Sequence, residues 1–175
     1  EQLSLRVEPG LPIYAKNWQQ PLPQNFGPET RKAISAHEQL ARGYEYLMGE
    51  IPWDDSQAWE RYRNYYFNCL VDVDTHIGTV LDALEESGQW DNTLVIFTSD
   101  HGEMAGLHGH RGKGGVIYRE ACKVPLCVCH PGMKKGEESD ALVSLLDIVP
   151  TTISLTASDS AALAMKYPHL VGHDF

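Results

Sequence analysis

The sequence predicts an α/β domain, in which helices and buried strands alternate along the chain. Two observations carry this prediction: a long amphipathic helix at residues 54–88, and two short apolar runs at residues 93–98 and 124–129. A further helix near residue 147 follows the second run. This order is typical of an α/β sheet covered by helices. Because ligands bind such sheets beyond the carboxyl ends of the strands, the residues after position 98 are the first candidates for a site.

The first part of the chain carries the weakest pattern. Residues 1–28 hold five prolines and no sustained hydrophobic period, so an extended segment is expected there. A helix is predicted over residues 29–48, with Gly49 as its stop.

The long helix is the clearest element. Asp55 and its neighbours offer N-cap side chains, and Gly88 ends the pattern. Its apolar residues recur at spacings of three and four: Trp59, Tyr62, Tyr66, Cys69, Val73, Ile77, Val80 and Leu84. A helix of this length spans roughly 45 Å and is expected to pack across a large sheet. Asp72 and His76 lie four residues apart, as either a metal pair or an exposed ion pair, and the spacing favours the ion pair.

Both apolar runs are continuous, which is typical of strands buried on both faces. Cys127 and Cys129 share one face of the second strand, and we expect them to be buried as small hydrophobic side chains rather than to bind a metal. The four cysteines show no disulfide spacing. The last helix is predicted to begin near Asp147, because Pro150 then falls in its first turn.

Composition excludes some functions. The chain is 42% hydrophobic and 22% charged, which is ordinary for a globular domain. No apolar run approaches the ~20 residues of a membrane span. The net charge of -10 argues against nucleic acid as a partner, although a local positive site would still bind an anionic substrate.

Titratable residues concentrate after the first strand, in the segment SDHGEMAGLHGHRGKGG at 99–115. Asp100 and His101 reach one centre if the backbone turns at the following glycine. They predict a divalent-cation site, with loop or cap residues as the alternative. Lys113 is either a solvated lysine or a cation that holds an anion and its leaving oxygen. His108 and His110 are candidate proton donors, one of which is expected to be only a loop residue.

Several motifs of the chain occur together in one known family. They are TSDHGE at 98–103, the lysine at 113 in a glycine-rich loop, YRE at 118–120 and VPL at 124–126, with flanking matches at 74–84 and 144–151. Over roughly residues 60–175 the chain resembles the sulfatase family, within the alkaline-phosphatase-like superfamily. The resemblance implies a sheet sandwiched by helices, with residues 29–175 as the C-terminal part of a catalytic domain.

The resemblance also implies roles for individual residues. Asp100 and His101 would bind the active-site divalent cation, usually Ca²⁺, and Lys113 would contact the sulfate and the leaving oxygen. His108 falls in the loop where the family often has a histidine. Arg111 and Lys123 depart from the family pattern, because an aromatic and an arginine are usual there, and both would tune the pocket.

The sulfatase nucleophile is a formylglycine, made from the Cys or Ser of a C/S-x-P/A-x-R motif, and no such motif occurs in this sequence. We therefore expect the chain to be part of a sulfatase that acts on a sulfated small molecule or saccharide. Alone it would be inactive, bind the cation weakly and self-associate through exposed apolar surface. The alternatives are a phosphate mono- or diesterase of the same superfamily and a non-catalytic sulfatase-like binding domain. Localisation stays open.

Overall fold

A computed structural model of the chain describes residues 22–27, 35–113, 115–156, 165 and 167–175. The chain divides into two compact units, one up to Met133 and one from Lys134 onward. Most of the proline-rich segment and residues 29–34 of the first predicted helix lie outside the described residues. Within the described ranges, no helix combines the length and the apolar character that crossing a membrane requires.

The first two helices end where the sequence indicates. Helix α1 spans Ser35–Met48, and Gly49 follows it with a φ of 79°, a left-handed conformation that suits glycine at a helix stop. Helix α2 spans Ser56–Glu86. Its N-cap is Asp55, whose carboxylate accepts a hydrogen bond from the Ala58 N–H at 2.8 Å.

Within the apolar stripe of α2, Trp59 is the one residue that is fully buried. Trp59 is 2% exposed, whereas Val73 and Val80 are 47% and 68% exposed. The expectation that the whole stripe packs across a large sheet is therefore wrong, because the sheet formed by the described residues has only two strands. In the second half of α2, His76 Nε2 lies 3.7 Å from Asp72 Oδ2, which agrees with the predicted ion pair.

The two predicted strands are present but are not buried. Strand β1 spans Val95–Thr98, the short helix α3 spans Arg119–Cys122, and strand β2 spans Leu126–Cys129. The strands pair antiparallel, with Val95 opposite Cys129. Cys127 and Cys129 are exposed, and Phe97 is 41% exposed. The expectation of strands buried on both faces, with buried cysteines, is therefore wrong, since a two-stranded sheet leaves much of its surface open.

Four aromatic residues form the centre of the first unit. The rings of Trp53 and Trp59 stack with centroids 4.3 Å apart, and Phe26 meets the face of Trp59 edge-on at 5.1 Å. Tyr62, one turn along α2, lies 5.8 Å from Trp59. The backbone of Phe26 pairs with Leu107 in an isolated antiparallel bridge. This cluster therefore supports the loop that follows β1.

The second unit begins its helical part with a 3₁₀ turn at Leu145–Asp147 and continues into helix α4, Ile148–Thr156, as predicted. The carboxylate of Asp147 accepts hydrogen bonds from the backbone N–H of His173 at 2.8 Å and of Ser144 at 2.7 Å. These two bonds, that from His173 first, hold the pKa of Asp147 below its ordinary value. They also attach the last residues of the chain to the start of the helix.

Candidate active site

Three of the four predicted site residues meet just beyond β1. His101 Nε2 lies 3.2 Å from Asp100 Oδ2 and forms a hydrogen bond with Lys113 Nζ. The side chains of Asp100 and His101 are 80% and 37% exposed, and Lys113 is also exposed. A carboxylate, an imidazole and an ammonium therefore converge at the protein surface, at the strand end indicated by the sequence.

The hydrogen bonds of His101 determine its tautomer. Its Nδ1 lies 2.9 Å from the carbonyl oxygen of Gly102, which can only accept, so Nδ1 carries the proton. The lone pair of Nε2 then faces Lys113 and the Asp100 carboxylate. Histidines that bind metals are commonly oriented in this way, by a hydrogen bond from the other ring nitrogen.

Gly102 must be a glycine because α3 comes very close to it. Its N–H donates to the carbonyl of Ala121 at 2.9 Å. A Cβ at position 102 would collide with the carbonyl oxygen of Glu120. The turn after His101 is therefore fixed against α3, and with it the direction in which the imidazole points.

Glu103 organises the loop from inside, a role that the sequence analysis missed. Its Oε1 accepts three hydrogen bonds: from the Gly112 N–H at 2.6 Å, the Ala105 N–H at 2.9 Å and the Tyr62 hydroxyl at 3.0 Å. Burial, followed by the charge of Glu103, raises the pKa of Tyr62, so the hydroxyl remains a donor. One carboxylate oxygen thus joins both ends of the loop to α2.

Arg63 on α2 holds the middle of the same loop. The side chain is buried, and its Nη1 donates to the carbonyl of Ala105 at 2.8 Å. Ala105 has a φ of 46°, in the left-handed region that a residue with a Cβ seldom occupies. The Ala105 N–H donates a hydrogen bond to Glu103, and its carbonyl accepts one from Arg63. Such bonds to the surrounding structure allow a strained backbone conformation to persist in a folded protein.

Arg111 faces away from the three converging side chains. It is 7% exposed, and its Nη2 donates to the carbonyls of Tyr44, at 3.2 Å, and Gly49. These carbonyls lie at the C-terminal end of α1, where a cation is favoured. The expectation that Arg111 tunes the pocket is therefore wrong. Lys123 is exposed and lines a surface depression with Glu120 and Pro125.

His108 has a different set of partners from the other predicted site residues. Its ring stacks on Tyr118 with centroids 4.0 Å apart, and its Nε2 lies 3.5 Å from Glu120 Oε2 and 3.3 Å from the Asn25 amide nitrogen. His110 is 1% exposed and belongs to the packed interior. The structure thus gives His108 partners other than Asp100, His101 and Lys113, and it buries His110.

The fold and the site define a class of protein: an α/β domain that presents a carboxylate, an imidazole and an ammonium together beyond the end of a strand. The family model described as Sulfatase matches residues 11–158. The chain belongs to the sulfatase family.

Individual relatives agree with this assignment. Arylsulfatase K of Gallus gallus is 36% identical over 99 residues, which cover 57% of this chain and 18% of that protein. Phosphonate monoester hydrolase SpPMH from Silicibacter pomeroyi superposes with a TM-score of 0.73 at 26% identity, covering 93% of this chain and 31% of that one. BT4656, in complex with its substrate D-glucosamine-2-N,6-O-disulfate, superposes with a TM-score of 0.57 at 30% identity, covering 71% and 25%.

These matches confirm the predicted fold class, a sulfatase-type α/β fold. They also show how much of each relative's length the chain covers. It spans less than a third of the length of each of the three proteins.

Proposed function

We propose that the protein hydrolyses sulfate esters, with Asp100 and His101 as ligands of a divalent cation and Lys113 as the cation that contacts the sulfate. The observation that carries this proposal is the convergence of Asp100 Oδ2, His101 Nε2 and Lys113 Nζ at the end of β1. Membership of the sulfatase family supports it.

The donor atoms fit part of a cation site. Asp100 Oδ2 and His101 Nε2 lie only 3.2 Å apart, so a cation near both would be held by one oxygen and one nitrogen donor atom. Ca²⁺ takes six to eight oxygen ligands. No group of three or more His, Cys, Asp or Glu within the described ranges could hold a metal ion, so the remaining ligands would come from elsewhere in the protein.

When bound, a divalent cation would polarise the ester and balance the charge of the sulfate oxygens. Two residues of this chain would assist the reaction directly or by orienting a ligand. The Lys113 ammonium would bind a sulfate oxygen and stabilise the negative charge that develops on the leaving oxygen. The Gly102 carbonyl keeps the proton of His101 on Nδ1, so that Nε2 stays available as a donor atom.

The nucleophile belongs to this proposal as well. The family uses a formylglycine, and the 175 residues contain no C/S-x-P/A-x-R motif from which it could be made. We infer that the nucleophile lies in another part of the protein and that the isolated chain is inactive. The substrate named for BT4656 supports a sulfated saccharide as the substrate class.

The test uses the full-length protein and 4-nitrophenyl sulfate. Hydrolysis is expected to stop on chelation and to return with Ca²⁺. Asp100→Asn should reduce kcat/KM at least about 100-fold, whereas Asp91→Asn, an exposed acid before β1, should retain wild-type activity. Full activity of Asp100→Asn, or turnover that chelation does not affect, would contradict the proposal.

A second candidate is hydrolysis of phosphonate or phosphate esters. The superposition on a phosphonate monoester hydrolase with a TM-score of 0.73 favours it. The same preparation should be assayed with 4-nitrophenyl phenylphosphonate and 4-nitrophenyl phosphate. A kcat/KM for either ester above that for the sulfate would make this candidate the main function.

A further inference from the structure

We propose that Tyr44, on helix α1, is the positioning residue of Lys113; this inference rests on the proposed role of Lys113 as the sulfate-contacting cation. The Tyr44 hydroxyl accepts a hydrogen bond from the backbone N–H of Lys113 at 2.6 Å. The same hydroxyl donates to the backbone carbonyl of Lys113. A single side-chain group therefore satisfies both polar backbone groups of the lysine.

The packing of the Tyr44 ring is a second, independent observation. The ring lies so close to Gly112 that a Cβ at this position would collide with it. Gly112 has a φ of 72°. Its N–H donates to Glu103, and its carbonyl accepts from the Met104 N–H at 2.9 Å. The backbone that leads into Lys113 is thus held by one ring contact and two hydrogen bonds at Gly112.

Helix α1 can serve as a fixed support because the loop itself holds it. Arg111 donates to the carbonyl of Tyr44 and to that of Gly49, so the end of α1 and the loop are joined twice. Tyr44 is half-buried by these contacts. Its hydroxyl is thereby held where the lysine backbone passes.

This arrangement matters for binding because lysine has a long, flexible side chain whose rotamer freedom is lost when its ammonium is held. In Lys113 the Nζ is joined to His101, and the backbone is joined to Tyr44. Fixing the backbone leaves only the side-chain torsions to be ordered when a sulfate binds. Tyr44 therefore acts on the substrate through Lys113 and does not touch it.

The variant that isolates this role is Tyr44→Phe, because it keeps the ring against Gly112 and removes only the hydroxyl. Tyr46→Phe is the matched control, since Tyr46 lies on the same helix and is 89% exposed. In full-length protein, the Lys113 amide should exchange with solvent about tenfold faster in Tyr44→Phe, and at the wild-type rate in Tyr46→Phe. Unchanged exchange in Tyr44→Phe would overturn the proposal.

Kinetics then separate positioning from general stability. Tyr44→Phe should lower kcat/KM for the sulfate ester by about tenfold, and this loss should shrink to less than about twofold in a Lys113→Met background. An equal loss in both backgrounds would show a merely structural role. If the wild-type protein does not hydrolyse the sulfate ester, the proposed function fails while the exchange measurement still decides whether Tyr44 holds Lys113.

Discussion

The two faces of the loop after β1 carry the same kinds of charged side chain in different surroundings. On the inner face, Glu103 accepts three hydrogen bonds from the protein, and Arg111 is buried against the end of α1. On the outer face, Asp100, His101 and Lys113 are at least partly exposed and contact mainly one another. The contrast teaches that burial and committed partners, not residue type, distinguish the charges that hold a loop from those left available to a ligand.

The outer face should dominate activity, and its loss should be the largest effect. Lys113→Met is expected to reduce kcat for the sulfate ester by about 10²–10³-fold, because the ammonium would stabilise charge that develops on the leaving oxygen. The free energy of unfolding should change by less than about 0.5 kcal/mol, since the side chain is exposed. Kinetics and chemical denaturation of the full-length protein measure both. A large loss of stability would place Lys113 among the residues that hold the loop.

The inner face should show the opposite pattern. Glu103→Ala is expected to destabilise the protein by about 2–4 kcal/mol, because it leaves the Gly112 and Ala105 N–H groups without their acceptor. Glu137→Ala is the control, as this exposed carboxylate pairs with the exposed Lys134, at 3.0 Å, and should cost less than about 1 kcal/mol. Equal denaturation midpoints for Glu103→Ala and Glu137→Ala would contradict the claim that inner-face charges stabilise the loop.

A pair of glycines sharpens the comparison further. Gly112 and Gly136 both have a φ of 72°, but a Cβ would collide with Tyr44 at the first and meet nothing within 4 Å at the second. Gly136→Ala should therefore cost only the left-handed backbone, about 1 kcal/mol. Gly112→Ala should cost that and the clash, about 2–3 kcal/mol in total. If the two variants lose similar free energies of unfolding in denaturation experiments, the Tyr44 ring moves aside at little cost.

The outer face could be located from the sequence because its information is local. Asp100 and His101 directly follow a strand, and Lys113 lies in the same glycine-rich loop. Capping residues and spacing likewise predicted the bounds of α2 and the start of the last helix. The structure brings Lys113 Nζ against His101 Nε2, whereas the roles of these residues and of His108 remain proposals.

The inner face could not be predicted, because its partners are distant in the sequence. Glu103 meets Tyr62 across 41 positions, and Arg111 meets Gly49 across 62. No spacing rule connects such pairs. The burial of the strands was wrong for a related reason: a run of apolar residues indicates that a strand favours covered surroundings, but it does not say which segment covers it.

The smallest expected effect concerns Asp147, which shares hydrogen-bonded backbone partners with the inner face and partial exposure with the outer face. Asp147 accepts two backbone hydrogen bonds, as Glu103 on the inner face also does, yet it is only half-buried. Its pKa is lowered from an ordinary value of 3.8, so its contribution to stability is complete above that pH and is lost as the pH falls through the lowered pKa.

The His173 amide should report this loss as a chemical-shift change below pH 4. Asp147→Asn should remove the transition. A His173 amide that titrates identically in this variant would show that another group is responsible.

The hydroxyl that holds Lys113 lies 69 positions before it in the chain, and this separation has a consequence for the order of folding. Helix α2 depends on contacts between near neighbours, so it can form early. Bringing Tyr44 to Lys113 requires closing a long loop first, at a cost of roughly 4 kcal/mol in chain entropy. The contact that orients the backbone of Lys113 is therefore expected to form after the helices. A newly synthesised chain would therefore form its helices before Tyr44 fixes the lysine proposed to contact the sulfate.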